Sequence, residues 1–550
     1  MSRKQRDERQ EPSQRPQDSG SASSAAKQER QQFEPTGVLN LDAMLGGGLP
    51  RGALTLILGL PGSGKTTLAS QIAFTSARAG KTVLILTALS EPTTKLIEHL
   101  ASYRFFDRSL IGGPVQFLSM QQLLPQGLTS VAAAILAETR RAKVDYVLLD
   151  GFRGMRSVDS DSQAARQFLY DIGTTLNALG VTTLITSETD PRDPTFFPES
   201  TTADVILGLH YALHGVRQYR GIEVIKARGA AAMPGMHALT LDDEGATVYP
   251  QLEERVTAEP QATSPAATET QRADAQPEPT ARAAFDMPEF DAMLRGGVPR
   301  GTCTVVAGSL GTGKTLLALN FALAGCRAGE HVVYLSFRES RAQLRQVGLS
   351  FALSADLTQA LEVTGRFVFI EAPPIKINPD ILADHLMSTL DQTGAQRVVI
   401  DSVAEVERAI LRGLDPARLE DFLGALLQAM RRRGVTALLI KETDKVVAAS
   451  LELSADALSV LAENVLLLQH IPYQGHLHRI ISVPKLRFSD HDTAIREFRI
   501  RAPEGLEVLA PFESGQGVLE GVAWDQEQRA SGRAREIIRR PPMPNAKDQP

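Results

Sequence analysis

The chain has little sulfur and few aromatics: two cysteines, one tryptophan and eight tyrosines in 550 residues. Two thiols cannot staple a fold of this length. Cys303 and Cys326 both lie in apolar stretches and read as packed thiols rather than a redox pair. No apolar run approaches the ~20 residues that span a bilayer, so no membrane span is expected. The opening MSRKQRDERQEPSQ has charge but no apolar stretch behind it, unlike a secretory signal. A cytoplasmic protein is expected. Positive charge is not in excess either. The net charge of −6 gives no global pull toward nucleic acid, and a basic patch, GRAREIIRRPP, sits in a polar tail. What remains is a 43% hydrophobic chain, long enough for two or three domains.

Residues 1–33 are polar and charged, and 252–284 are rich in Pro, Ala, Thr and Glu. Neither holds enough large apolar side chains to offset chain entropy, so an N-terminal extension and an interdomain linker without fixed structure are expected, with a flexible tail over 514–550. The two stretches between them, 34–251 and 285–513, are copies of one design. LDAMLGGGLPRGALTLILGLPGSGKTTLA begins at Leu41, and FDAMLRGGVPRGTCTVVAGSLGTGKTLLA at Phe290. A nearly constant offset separates Lys65 from Lys314 and Asp150 from Asp401, which marks domain duplication rather than a short repeat. Each copy alternates short Val/Ile/Leu-rich strands with helices, as TLILG, TVLILT, VDYVLLD and VTTLITS do in the first. That pattern predicts an α/β fold with a mostly parallel sheet covered on both faces. The closing stretches, such as VILGLHYALHGVRQYRGIEVIKARG, predict antiparallel strands added at an edge.

GLPGSGKT (59–66) and GSLGTGKT (308–315) both fit G-x-x-x-x-G-K-[ST], each after a strand and before a helix. In this phosphate-binding loop (P-loop) the glycines let backbone N–H groups and a helix N-terminus face an anion. Gly59, Gly62, Ser63, Gly64, Lys65, Thr66 and Thr67 are therefore expected at the ATP phosphates. Gly308, Gly311, Thr312, Gly313, Lys314, Thr315 and Leu316 are their counterparts. The lysines reach the β- and γ-phosphates, and the Thr66 and Thr315 hydroxyls serve Mg²⁺. Asp150 and Asp401 end the strands YVLLD and VVID, where a carboxylate holds the metal's water shell. Each copy also ends a late strand in Lys-x-Arg: Lys226 and Arg228, then Lys485 and Arg487.

Together with ESRAQL (339–344), LLLQH (466–470) and HDTAIREFRI (491–500), these motifs resemble the KaiC family of circadian clock ATPases over roughly 34–250 and 285–513. The resemblance implies two tandem RecA-like P-loop NTPase domains and a homohexamer with ATP and Mg²⁺ between subunits. It implies that Lys226, Arg228, Lys485 and Arg487 act on the adjoining protomer, and that Glu91 and Glu339 polarise the attacking water. The chain departs from the family at that strand end. Where the family has adjacent glutamates, the pairs read Ser90-Glu91 and Arg338-Glu339, so one acid of each pair is lost. Slow turnover is the expected consequence. The family's autophosphorylated Ser-Thr pair falls on Ser459-Val460. A single-site autokinase at Ser459 and an ordinary helix serine both stand.

Three functions stay open on the sequence alone. The first is a slow Mg²⁺-dependent ATPase with that kinase option. The second is an ATP-switched scaffold in which Arg338 holds the γ-phosphate without activating water. The third is a DNA-dependent motor on the same fold, against which neither core shows an interleaved basic and aromatic loop. Regulatory protein partners are expected but unspecified.

Overall fold

The computed structural model describes residues 33–87, 93–120, 124–152, 162–193, 198–214, 217–258, 281–375, 377–413, 415–443, 457–473 and 476–511. The chain divides into two compact units. The chain carries two nine-stranded sheets.

In the first sheet the P-loop strand Leu54–Gly59 is central. On one side follow Thr182–Ser187, Tyr146–Asp150, Val83–Thr87 and Val115–Ser119, all parallel. On the other follow Val205–His214, Arg217–Ala227, His237–Asp242 and Gly245–Tyr249. The second sheet repeats the order around Cys303–Gly308, with Thr436–Glu442, Arg397–Asp401, Val332–Ser336 and Phe367–Glu371 on one side. Asn464–Tyr473, His476–Leu486, Arg496–Arg501 and Gly505–Pro511 lie on the other.

These strands read as continuous apolar runs because both faces are covered. In the second sheet Val306, Tyr334, Val399 and Leu438 face a core that includes the P-loop helix Lys314–Arg327. Val305, Leu335, Ile400 and Leu439 face the opposite core, under helices Pro379–Thr393 and Arg418–Arg432. Both cysteines are buried free thiols, and burial pushes Cys303 up to about 12 and Cys326 to about 11. Among the described residues no helix is long and apolar enough to cross a membrane.

The structure departs from sequence expectation in four places. Val205–His214 and Asn464–Tyr473 pair parallel to the P-loop strands, and in the second sheet antiparallel pairing starts only with the strand that follows. The outer strands Val115–Ser119 and Phe367–Glu371 are only partly buried, so alternation does not announce them. The 252–284 stretch is structured at both ends. Leu252–Ala258 is a helix of the second unit, whose Leu252 and Val256 enter that unit's core, and Arg282–Ala283 pairs with Val298–Pro299. Local composition missed the helix because its partners lie far along the chain. Phe33 also pairs, with Pro50, so the last residue assigned to the N-terminal extension is part of a strand. Residues 1–32, 259–280 and 512–550 lie outside the described residues.

Candidate nucleotide-binding sites

Parallel pairing sets the C-terminal ends of neighbouring strands side by side, and both P-loops sit at such an edge. Gly64 and Gly313 cap the P-loop helices at φ +102° and +91°, in the left-handed region that favours glycine. Their N–H groups and those of the first helical turn thus point into the loop. Lys65 and Lys314 are each only 7% exposed. Lys65 donates to the Leu60 carbonyl at 3.1 Å and Lys314 to the Ser309 carbonyl at 2.7 Å. Burial pulls both ammonium groups below the usual lysine range. Thr67 and Leu316, one turn position on, are buried instead of facing the loop.

The metal-side pair is equally regular. Thr66 donates to both Asp150 oxygens at 3.1 Å, and Thr315 donates to Asp401 Oδ2 at 2.9 Å. Thr186 orients Asp150 at 2.6 Å, whereas the buried Tyr334 hydroxyl donates to Asp401 at 3.0 Å. Burial, reinforced by nearby Glu339, pushes the Asp401 carboxyl up to about 6. The loop fits a magnesium nucleotide. A Cβ at Gly62 would meet nothing within 4 Å, and the buried Ser63 Oγ has no hydrogen-bond partner among the described residues. Two buried cations beside open anion cradles, each next to a Thr-Asp pair, are what triphosphate and Mg²⁺ require.

At the opposite edge of each site the expected residues fare differently. Ser90 and Glu91 lie outside the described residues. Glu339 turns back on its own strand end, its N–H on Ser336 Oγ at 3.1 Å and Oε2 3.4 Å from that hydroxyl. Arg338 is held by two acids. Nη1 and Nη2 grip the two Glu442 oxygens at 2.6 and 2.9 Å, while Nε and Nη2 reach Glu405 Oε1 at 3.2 and 2.9 Å. Glu405 and Glu442 escaped sequence reasoning, as did Glu188 in the first unit. The available signal was a repeated Glu-Thr-Asp at 188–190 and 442–444, directly after the stretches VTTLITS and VTALLIK.

Lys226 and Lys485 do not extend freely. Lys226 donates to the Ser200 and Thr201 carbonyls, and Lys485 to those of Ser459, Val460 and Ala462. Each ties down the C-terminal carbonyls of a short helix, Pro198–Thr202 or Ala457–Leu461. Their arginines face outward: Arg228 is 61% exposed with a 3.5 Å pair to Asp204, and Arg487 is exposed. Ser459 is 6% exposed, beside an outward-facing Val460.

The family model described as "ATPase: KaiC" matches residues 34–253 and 285–513. The circadian clock oscillator protein KaiC of Thermostichus vulcanus is 27% identical over 501 residues, covering 88% of this chain and 91% of the relative. The Picosynechococcus protein of that name is 26% identical over 509 residues, with 89% and 93% covered. KaiC 1 of Synechocystis is 25% identical over 500 residues, with 88% and 91% covered. With both P-loops, both Thr-Asp pairs and two tandem parallel-sheet domains in place, this chain belongs to the KaiC ATPase family.

Proposed function

We propose that the chain hydrolyses Mg²⁺-ATP slowly at both P-loops, within a homohexamer whose sites are completed by the Lys-x-Arg strand of an adjoining copy. The observation that carries this reading is the duplicated set of a buried loop lysine beside a strand-end aspartate hydrogen-bonded to the loop threonine. Bound Mg²⁺ would spread the charge of the β- and γ-phosphates, with Thr66, Asp150, Thr315 and Asp401 as its holders. Lys65 and Lys314 bind the phosphates, and the exposed Arg228 and Arg487 reach a neighbour's γ-phosphate, Arg228 giving up its 3.5 Å pair with Asp204. Slowness follows from Ser90 and Arg338 standing where a second acid would align water. Glu91 and Glu339 are the acids left at that edge.

Two observations weigh on the alternatives. Arg338 spends its donors on Glu405 and Glu442, which leaves little for a γ-phosphate and weakens the scaffold reading. Ser459 is buried, which favours water over its hydroxyl as phosphoryl acceptor. ATP turnover of the purified chain, followed by intact-mass analysis, tests both points. Turnover below about 1 s⁻¹, lost by ~100-fold in Lys65→Ala/Lys314→Ala chains with no mass gain of a phosphate, is expected. Turnover of a wild-type chain unchanged by the double substitution overturns the reading.

A further inference from the structure

Sheet order separates the acids of the second site. Between the strand that leads to Glu339 and the P-loop strand lie two others, Arg397–Asp401 and Thr436–Glu442. Glu442 ends the strand directly beside the P-loop strand and pairs in register with Gly308, the first glycine of the loop. On its other flank Asp401 pairs with Ile440, so Glu442 stands two residues beyond the level of the metal-side aspartate. Its charge bears on Lys314 more strongly than that of Asp401 does. The first unit repeats the placement: Glu188 follows Thr182–Ser187, the neighbour of that P-loop strand, and bears on Lys65 ahead of Asp150. In both units, then, an acid carried by the strand beside the P-loop strand bears on the loop lysine.

We propose that Glu442 is the carboxylate that orients the attacking water at the second nucleotide site, and that Arg338 is the residue positioning it. This rests on the ATPase reading above. Arg338 reaches from the end of Val332–Ser336 across Arg397–Asp401 to grip Glu442 through both oxygens, a geometry that fixes the carboxylate plane. The same guanidinium holds Glu405, which Arg408 also binds at 2.8 Å, so three elements are locked around one side chain. An arginine in place of the lost strand-end acid thus delivers a different acid, from a strand nearer the phosphates. In the step, the water oxygen bonds the γ-phosphorus as the bond to the β–γ bridging oxygen breaks. ADP leaves with that electron pair, and the proton shed by water passes through the Glu442 carboxylate to the released inorganic phosphate.

The test uses full-length chains carrying Lys65→Ala, so that turnover reports the second site, with ATP and ADP affinities measured in parallel. Glu442→Gln should lower kcat about 100-fold while ATP binds no more weakly, and should shift preference toward ATP over ADP several-fold, because a negative charge beside the γ-phosphate is gone. Arg338→Gln should also lower kcat, and the double substitution should fall no further than Glu442→Gln alone, as expected for residues acting as one unit. Additive losses in the double variant would assign Arg338 to strand pinning and overturn its positioning role. Unchanged kcat and unchanged ATP-over-ADP preference in Glu442→Gln would overturn the whole proposal. If the parent chain binds ATP but does not hydrolyse it, the ATPase reading fails. The nucleotide preference then decides whether Glu442 faces the γ-phosphate.

Discussion

Asp401, the acid proposed to face Mg²⁺, shows what a buried carboxylate costs when no cation is bound. Its carboxyl is raised from 3.8 to about 6, chiefly by burial and then by Glu339. Between those values the folded chain retains a proton that the unfolded chain has lost, so stability falls as pH rises through that window. Above it the folded state carries an unfavourable charge worth on the order of 2–3 kcal/mol. Asp401→Asn keeps an acceptor for Thr315 and Tyr334 and removes the charge. In nucleotide-free and metal-free protein, its thermal midpoint should exceed the wild-type value at pH 8 and converge with it near pH 4. Equal midpoints at both values would show that the burial cost is relieved elsewhere. The cost at rest suits a site whose charge is meant to be met by a cation.

At the scale of elements, the seven-residue helix Leu252–Ala258 is too short to persist alone and is held by the second unit. Its Leu252 N–H donates to Asp380, and Arg418 binds Glu253 and Asp380 at 2.8 and 3.0 Å. Asp380 opens helix Pro379–Thr393 and is 4% exposed, so Arg418 holds three helices together by compensating one buried acid. Removing one partner of a buried pair strands the other. Arg418→Ala should destabilise the second unit by about 3–5 kcal/mol, read as a lower urea midpoint, and adding Asp380→Asn should restore part of it. A change under about 1 kcal/mol would mean that Asp380 reaches water in solution.

At the scale of the whole molecule, the roles within each Lys-x-Arg pair separate. The lysines are committed to carbonyls of their own chain, so in the proposed hexamer the arginines would be the groups that act across a subunit boundary. A mixing experiment follows from that division. Chains with Lys65→Ala/Lys314→Ala and chains with Arg228→Ala/Arg487→Ala should each be nearly inactive. Randomly mixed rings in equal amounts should regain about a quarter of wild-type turnover, because that fraction of boundaries pairs an intact loop with an intact arginine. Turnover no higher than the sum of the separate chains would place the arginines in their own protomer's site or outside any site.

The sequence by itself determined the duplication, the parallel sheets, the two phosphate loops and the Thr-Asp pairs. Those features are written in short segments, where glycine placement, apolar runs and strand-end acids act on their own neighbourhood. It also marked Arg338 as unusual, but not what the guanidinium does. Its partners Glu405 and Glu442 lie 67 and 104 residues away, and only strand order brings them to one edge. The same holds for Lys226 and Lys485, whose carbonyl partners come from preceding helices, and for Leu252–Ala258, whose local composition suggested no structure. Loop chemistry is local and legible. The company a charge keeps depends on which strands become neighbours, and that was decided by the tertiary fold.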